Sequence, residues 1–286
     1  MDLLKAKQLS PEISYEGINC LCKKYKQFEP QISEKQIFKQ NGVYLITGGA
    51  GHLGKIISFY LAKNYKAQLI ITGRSSLEVD IKTHIQELKS LGSHAIYLQA
   101  DVSNNKEMED VIIKSKELFK HINGVIHLSG IMSSKVLIEK TDDEFLYNIR
   151  PKIIGALVLD NVTQKENLDC FILFSSLSSI LGDFGQCDYA ISNRFLDEFA
   201  LWRESMRYKN KRNGKSISIN WPLWREGGMH GQKDAEELYL KSSGMRYLEN
   251  NDGLKAFDLL MQQNLSQAIL INGNKDCLWG YGSILE

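Results

Sequence analysis

Ser176 and Tyr189, 13 residues apart, are the two side chains whose types and spacing first suggest chemistry. The serine lies in Phe174-Ser175-Ser176-Leu177-Ser178-Ser179, and the tyrosine opens Tyr189-Ala190-Ile191-Ser192-Asn193. Reducing a carbonyl needs a hydride donor beside the carbon and a proton donor at the oxygen. A tyrosine hydroxyl bonded to that oxygen can supply the proton, provided a nearby cation lowers its pKa from about 10. A serine hydroxyl can hold the same oxygen as a second donor. Ser175 is the alternative to Ser176, and spacing favours Ser176. Taken alone, Tyr189 would be read as a core aromatic.

A hydride source is suggested by Thr47-Gly48-Gly49-Ala50-Gly51-His52-Leu53-Gly54, which follows an apolar run and precedes a stretch of helical period. Gly49-x-Gly51-x-x-Gly54 is a dinucleotide fingerprint in its required context. One glycine allows the tight turn, one lets the backbone approach a pyrophosphate, and one lets helix and strand pack closely. The helix start then offers N–H groups and a positive dipole end to phosphates. Arg74 lies 20 residues after Gly54, where an Asp or Glu would select NAD. In Thr72-Gly73-Arg74-Ser75-Ser76 a guanidinium suits a 2′-phosphate instead, so NADPH is expected, with Ser75 beside it. Asp101-Val102 follows the third apolar run, where the carboxylate could accept from adenine or serve as a turn aspartate. Ser129-Gly130 would let the backbone pass close to the nicotinamide ribose.

These residues need a scaffold that brings them to one edge. Apolar runs recur at 43–46, 69–71, 95–98, 125–128, 171–174, 217–219 and 268–271, with helical-period stretches such as Ile56-Ile57-Tyr60-Leu61 and Phe195-Leu196-Phe199-Ala200 between them. Seven such runs imply an α/β fold, a doubly wound parallel sheet with helices on both faces. Before it, residues 13–29 read as a short hairpin turning at Glu16-Gly17, and residues 30–41 as a linker. The 286 residues can bury a full core, and the net charge of +1 offers no field for nucleic acid or an anionic membrane. There is no run of 18 apolar residues and no signal-peptide core, so a cytoplasmic protein is expected. The five cysteines have no metal or disulfide spacing, and no metal is expected.

Four stretches carry a family resemblance: the glycine loop 47–54, Arg150-Pro151-Lys152-Ile153-Ile154-Gly155-Ala156, Gly185-Gln186-Cys187-Asp188-Tyr189-Ala190-Ile191-Ser192-Asn193, and Asn220-Trp221-Pro222-Leu223-Trp224-Arg225-Glu226-Gly227-Gly228-Met229. Over about residues 13–271 the chain resembles the ketoreductase domains of modular polyketide synthases, a branch of the short-chain dehydrogenases with a Rossmann fold. Most short-chain dehydrogenases place a lysine four residues after the tyrosine. In this branch lysine and asparagine exchange places, which matches Asn193 and Lys152, the latter 24 residues before Ser176.

The resemblance implies that Tyr189 is the general acid, Ser176 orients the carbonyl, Lys152 lowers the tyrosine pKa and binds the ribose, and Asn193 positions a relay water. It implies NADPH held by Thr47, Gly48, Gly49, Gly51, His52, Leu53, Gly54, Arg74, Ser75, Asp101, Val102, Ser129, Gly130, Lys152, Tyr189 and Pro222. It places Met132, Ser134, Leu181, Gln186 and Met229 at the substrate, a β-ketoacyl thioester on the phosphopantetheine arm of an acyl carrier protein among neighbouring synthase domains.

Met132-Ser133-Ser134 stands where a Leu-Asp-Asp triplet accompanies a D-hydroxy product, and Leu181 where the opposite class has tryptophan. The missing carboxylate at Ser134 gives an expectation of the L-hydroxy product. Residues 1–40 are expected to be the last part of a larger structural subdomain, and 41–286 the catalytic domain. Trp221-Pro222-Leu223-Trp224 departs from the family's usual Trp-Gly-Pro-Trp, and 227–244 is expected to form a lid. Two other readings share the glycine loop. A reductase or epimerase of a free small molecule is opposed by Asn193, and a silent scaffold by retention of Tyr189, Ser176 and Lys152.

Overall fold

The computed structural model describes residues 13–17, 19–32, 36–133, 135–182, 185–228 and 233–274. All seven expected runs form strands: β3 (Val43–Thr47), β4 (Gln68–Gly73), β5 (Ala95–Gln99), β6 (Gly124–His127), β7 (Cys170–Ser176), β8 (Lys215–Trp221) and β9 (Gln267–Ile269). They pair in parallel in the order β5-β4-β3-β6-β7-β8-β9. The chain runs outward from β3 to β5, then returns to β6 on the other side. The loops after β3 and β6 therefore diverge at the carboxyl ends of neighbouring strands, which opens a crevice there.

The helices are α1 (His52–Tyr65), α2 (Val79–Ser90), α3 (Asn105–Phe119), α4 (Asp142–Val162), α5 (Ser178–Leu181), α6 (Cys187–Tyr208), α7 (Lys233–Ser243) and α8 (Asn250–Gln262). Strand alternation divides the core into two layers. Tyr44 and Ile46 point into a cluster with Ile57 and Leu61 of α1 and Phe257 of α8. Val43 and Leu45 point into the other, with Met108 of α3, Leu159 of α4 and Phe199 of α6. Ile57 and Leu61 are 0% exposed, and burying each is worth about 1.5–3 kcal/mol.

The N-terminal hairpin forms as expected and apart from this sheet: β1 (Ile13–Glu16) pairs antiparallel with β2 (Asn19–Cys22), and Gly17 turns at φ +62°. Lys23 and Tyr25 then meet Glu198 and Arg194 of α6 at 2.9 Å each. The linker reading needs correction at Phe38. It is 2% exposed, with its ring 5.4 Å from Tyr44, 5.5 Å from Tyr65 and 5.5 Å from Phe257. One aromatic in a polar stretch has no periodicity to reveal that it is a core residue.

Candidate active site

The glycine loop joins β3 to α1. Gly48 has φ +68°, and a Cβ there would lie 2.8 Å from Ser129 N in the loop after β6. At Gly54 a Cβ would lie 2.5 Å from Gly48 O and from Gly49 Cα. Side chains at these positions would fill the crevice or push helix from strand. Gly51 caps α1 without any side-chain acceptor, and the first turn holds no acidic residue. The helix start thus offers its N–H groups to an anion.

A cavity of about 450 Å³ opens there, within the range of small-molecule sites. Its walls include Gly48, Gly51, His52, Leu53 and Gly54 from the loop, Arg74 and Ser75 after β4, Asp101 and Val102 after β5, and Ser129 and Gly130 after β6. Gly227 and Gly228 close it from the far end of the chain. A Cβ on Gly228 would overlap His52 Nδ1 at 2.1 Å, so that stretch lies directly against the loop. Thr47, Gly49, Lys152, Tyr189 and Pro222 do not line this cavity. Thr47 is fully buried, with its hydroxyl 2.7 Å from His127 Nδ1.

Arg74 is exposed at the rim, where its guanidinium donates to Tyr147 Oη at 2.6 Å and lies 5.4 Å from that ring's centre. The Tyr97 hydroxyl, 2.6 Å from Ser75 O and 3.0 Å from Gly73 O, fixes the strand end beneath it. Asp101 behaves as a turn aspartate with one oxygen, which accepts the Ser103 N–H at 2.8 Å. The cap of α3 is Asn104.

Beyond the cavity, α4, β7 and α6 bring the other side chains together. Lys152 is 3% exposed, donates to Phe174 O at 2.7 Å, and has its Nζ 5.8 Å from the centre of the Tyr189 ring. Burial pushes its pKa down to about 7, against the opposing field of Asp197. Asn193, one helical turn after Tyr189, donates to Tyr189 O at 2.8 Å, and its buried Oδ1 has no hydrogen-bond partner among the described residues. Ser175 is buried, with its hydroxyl donating to Asn193 O and accepting from Asn220 Nδ2, both at 3.1 Å. Ser176 is half-buried, and its Oγ accepts the Ser178 N–H at 3.2 Å.

Supporting residues emerge that spacing gave no sign of. Asp197 is 0% exposed and accepts from Ser218 Oγ at 2.6 Å, Ser179 Oγ at 2.7 Å and Asn220 Nδ2 at 2.8 Å. It ties α6 to α5 and β8. His127 is 0% exposed. Burial first, and then the Lys152 charge, push its pKa down to about 3, so it stays neutral under Thr47. A second carboxylate, Asp188, pairs with Lys140 at 2.5 Å.

Of the expected substrate residues, Met132 and Leu181 are half-buried, and Gln186 precedes α6 with its Oε1 buried and unpartnered among the described residues. Ser134 and Met229 lie outside the described residues. In the expected lid, α7 occupies Lys233–Ser243.

Residues 42–226 match the family model for the KR domain. The chain is similar to polyketide synthase PksM of Bacillus subtilis, with 45% identity over 82% of this chain and 5% of that protein. It is also similar to PksN of the same organism, with 38% identity over 87% of this chain and 5% of that protein. The chain thus spans about 5% of the length of these relatives. A crystal structure of a ketoreductase domain from the bacillaene assembly line superposes with a TM-score of 0.87 at 35% identity, covering 94% of this chain and 64% of that one. An N-terminal ketoreductase from the macrolactin assembly line superposes with a TM-score of 0.78 at 37% identity, covering 92% of this chain and 49% of that one.

Proposed function

This chain belongs to the KR domain family of polyketide synthases, and on that footing we propose that it reduces a β-ketoacyl thioester to the β-hydroxyacyl thioester with NADPH. The observation that carries this reading is the lysine that reaches Tyr189 from α4: Lys152 Nζ lies 5.8 Å from the tyrosine ring, while Asn193 fills the position one turn after it. The glycine cradle supports a dinucleotide, since a Cβ at Gly48 or Gly54 would run into the loop after β6 or the glycine loop's own backbone. Only glycine thus lets strand, loop and helix draw together where a pyrophosphate would meet the α1 N–H groups. Arg74 and Ser75 at the rim support a 2′-phosphate, and hence NADPH over NADH. When bound, the cofactor supplies the hydride for the β-carbon.

The chain's own groups handle the oxygen. Tyr189 gives its phenolic proton to the carbonyl oxygen, and Ser176 donates a second hydrogen bond to it. Ser175 is occupied with Asn193 and Asn220, which supports Ser176 for that role. The Lys152 ammonium, fixed by its bond to Phe174 O, favours the tyrosinate left behind. The unpartnered Asn193 Oδ1 suits a water that returns a proton to the site. The substrate's carrier is an acyl carrier protein arm, and the domain's neighbours are other domains of the same synthase.

Mixing the protein with NADPH and a β-ketoacyl N-acetylcysteamine thioester tests this. Stoichiometric formation of NADP and β-hydroxy thioester is expected, with NADH much the weaker donor. No consumption of either cofactor would overturn the proposal.

A further inference from the structure

Lys140 lies at the end of a poorly covered stretch. The single 3₁₀ turn before it, Leu137–Glu139, leaves Leu137 59% and Ile138 93% exposed. Yet the Lys140 side chain itself is 1% exposed, as is that of its partner Asp188, with Nζ 2.5 Å from Oδ1. Removing both charges from water costs several kcal/mol per ion, and an apolar pair of similar size is often as stable. The pair therefore has little to recommend it as a stabiliser, and its place in the fold suggests another use.

Asp188 directly precedes Tyr189 and accepts that residue's N–H at 3.0 Å. Its other oxygen accepts from Asn148 Nδ2 at 2.7 Å, on α4 one turn before Lys152. Lys140 Nζ also lies 3.3 Å from Gly185 O, in the turn that leads into α6. Gly185 has φ +76°, and a Cβ there would meet Val136 Cγ1 at 3.2 Å. One carboxylate thus gathers the stretch after Met132, the helix of Lys152 and the first turn of the helix of Tyr189. Desolvation works against its charge, but the bonds from Lys140, Asn148 and the Tyr189 N–H prevail and hold Asp188 below the usual carboxylate range.

We propose that Lys140 and Asp188 form a positioning clasp that sets the Tyr189 helix against the 135–140 stretch on the substrate side, so that the pose of the ketone depends on a buried charge pair. The proposal rests on the ketoreductase reading for its effect on turnover, but its structural half can be tested without it.

The test compares the whole chain with its Lys140→Met/Asp188→Asn variant, which removes both charges at nearly constant volume. Hydrogen exchange is expected to speed up in both 135–140 and 186–190, while NADPH affinity, read by fluorescence titration, stays within about 2-fold. Turnover of a β-ketoacyl thioester should fall roughly 10- to 100-fold, the range for a small misplacement of reacting groups, and the ratio of product enantiomers should drift towards parity. If the double variant does not fold, Asn148→Ala keeps the ion pair, frees one carboxylate oxygen, and should show the same exchange pattern more weakly. Unchanged exchange in either segment overturns the clasp, as does a folded double variant with wild-type turnover and product ratio. An inactive wild-type protein would defeat the ketoreductase reading instead, and the exchange data would then decide the clasp alone.

Discussion

Lys152 is fully enclosed between α4 and β7, with a pKa near 7 where an exposed lysine has 10.5. The unfolded chain therefore holds this proton over a pH range in which the cofactor-free fold has released it. The cost of burying the charge is complete below about pH 7, shrinks as pH rises, and is gone above 10.5. Lys152→Met should thus gain most on the wild type in thermal stability below pH 7, with the gap narrowing towards pH 10, and a pH-independent gap would show that the lysine is not desolvated. Tyr189→Phe removes the proton donor and no phosphate contact. Turnover should drop by roughly 10²- to 10⁴-fold with NADPH affinity nearly intact, and more than about a tenth of wild-type turnover would remove Tyr189 from the acid's role. Arg74→Ala should weaken NADPH by roughly 10- to 150-fold and leave NADH almost untouched, since a charge-assisted bidentate contact is worth on the order of 1.5–3 kcal/mol. Equal losses in isothermal titrations of the two cofactors would contradict that role.

At the scale of elements, the site depends on how closely α1 meets β3 and how firmly α4 begins. Gly54→Ala would put a methyl 2.5 Å from backbone atoms of the glycine loop. Such overpacking costs about 1–3 kcal/mol, so both the melting temperature and dinucleotide affinity should fall, and an unchanged affinity would show that the loop is not the cradle. Thr141 caps α4, accepting from Glu144 N at 3.2 Å while Glu144 accepts from Thr141 N at 3.0 Å. Thr141→Ala should cost about 1 kcal/mol in denaturant melts. The strands were legible because each is a short apolar run, the inner β3, β6, β7 and β8 being buried on both faces, and the glycine loop because its spacing is imposed by packing. Phe38 was misread, since its burial comes from aromatic partners at Tyr44, Tyr65 and Phe257 and not from any local pattern. The Asp197 and Asp188 networks were invisible for a similar reason. Lys140 and Asp188 are 48 residues apart, and their contact exists only once α4 and α6 have packed.

For the whole molecule, family motifs placed Lys152, Tyr189 and Asn193 in one neighbourhood that their sequence positions alone would not have joined. Facial choice turns on the Met132-Ser133-Ser134 triplet, where Ser134 stands in place of the family's diagnostic aspartate. The absence of a carboxylate there predicts the L-hydroxy product, and chiral chromatography yielding mainly the D product would contradict it. The claim on which all else depends is that hydride passes to a carrier-bound β-ketone while Tyr189 protonates its oxygen. Mass spectrometry of a β-ketoacyl carrier protein, incubated with this chain and NADPH deuterated at the transferable hydrogen, tests it most directly. One deuterium on the β-carbon of the hydroxyacyl product is expected with the wild type, and almost none with Tyr189→Phe at saturating cofactor. A product free of deuterium, or full labelling by the Tyr189→Phe variant, would contradict it.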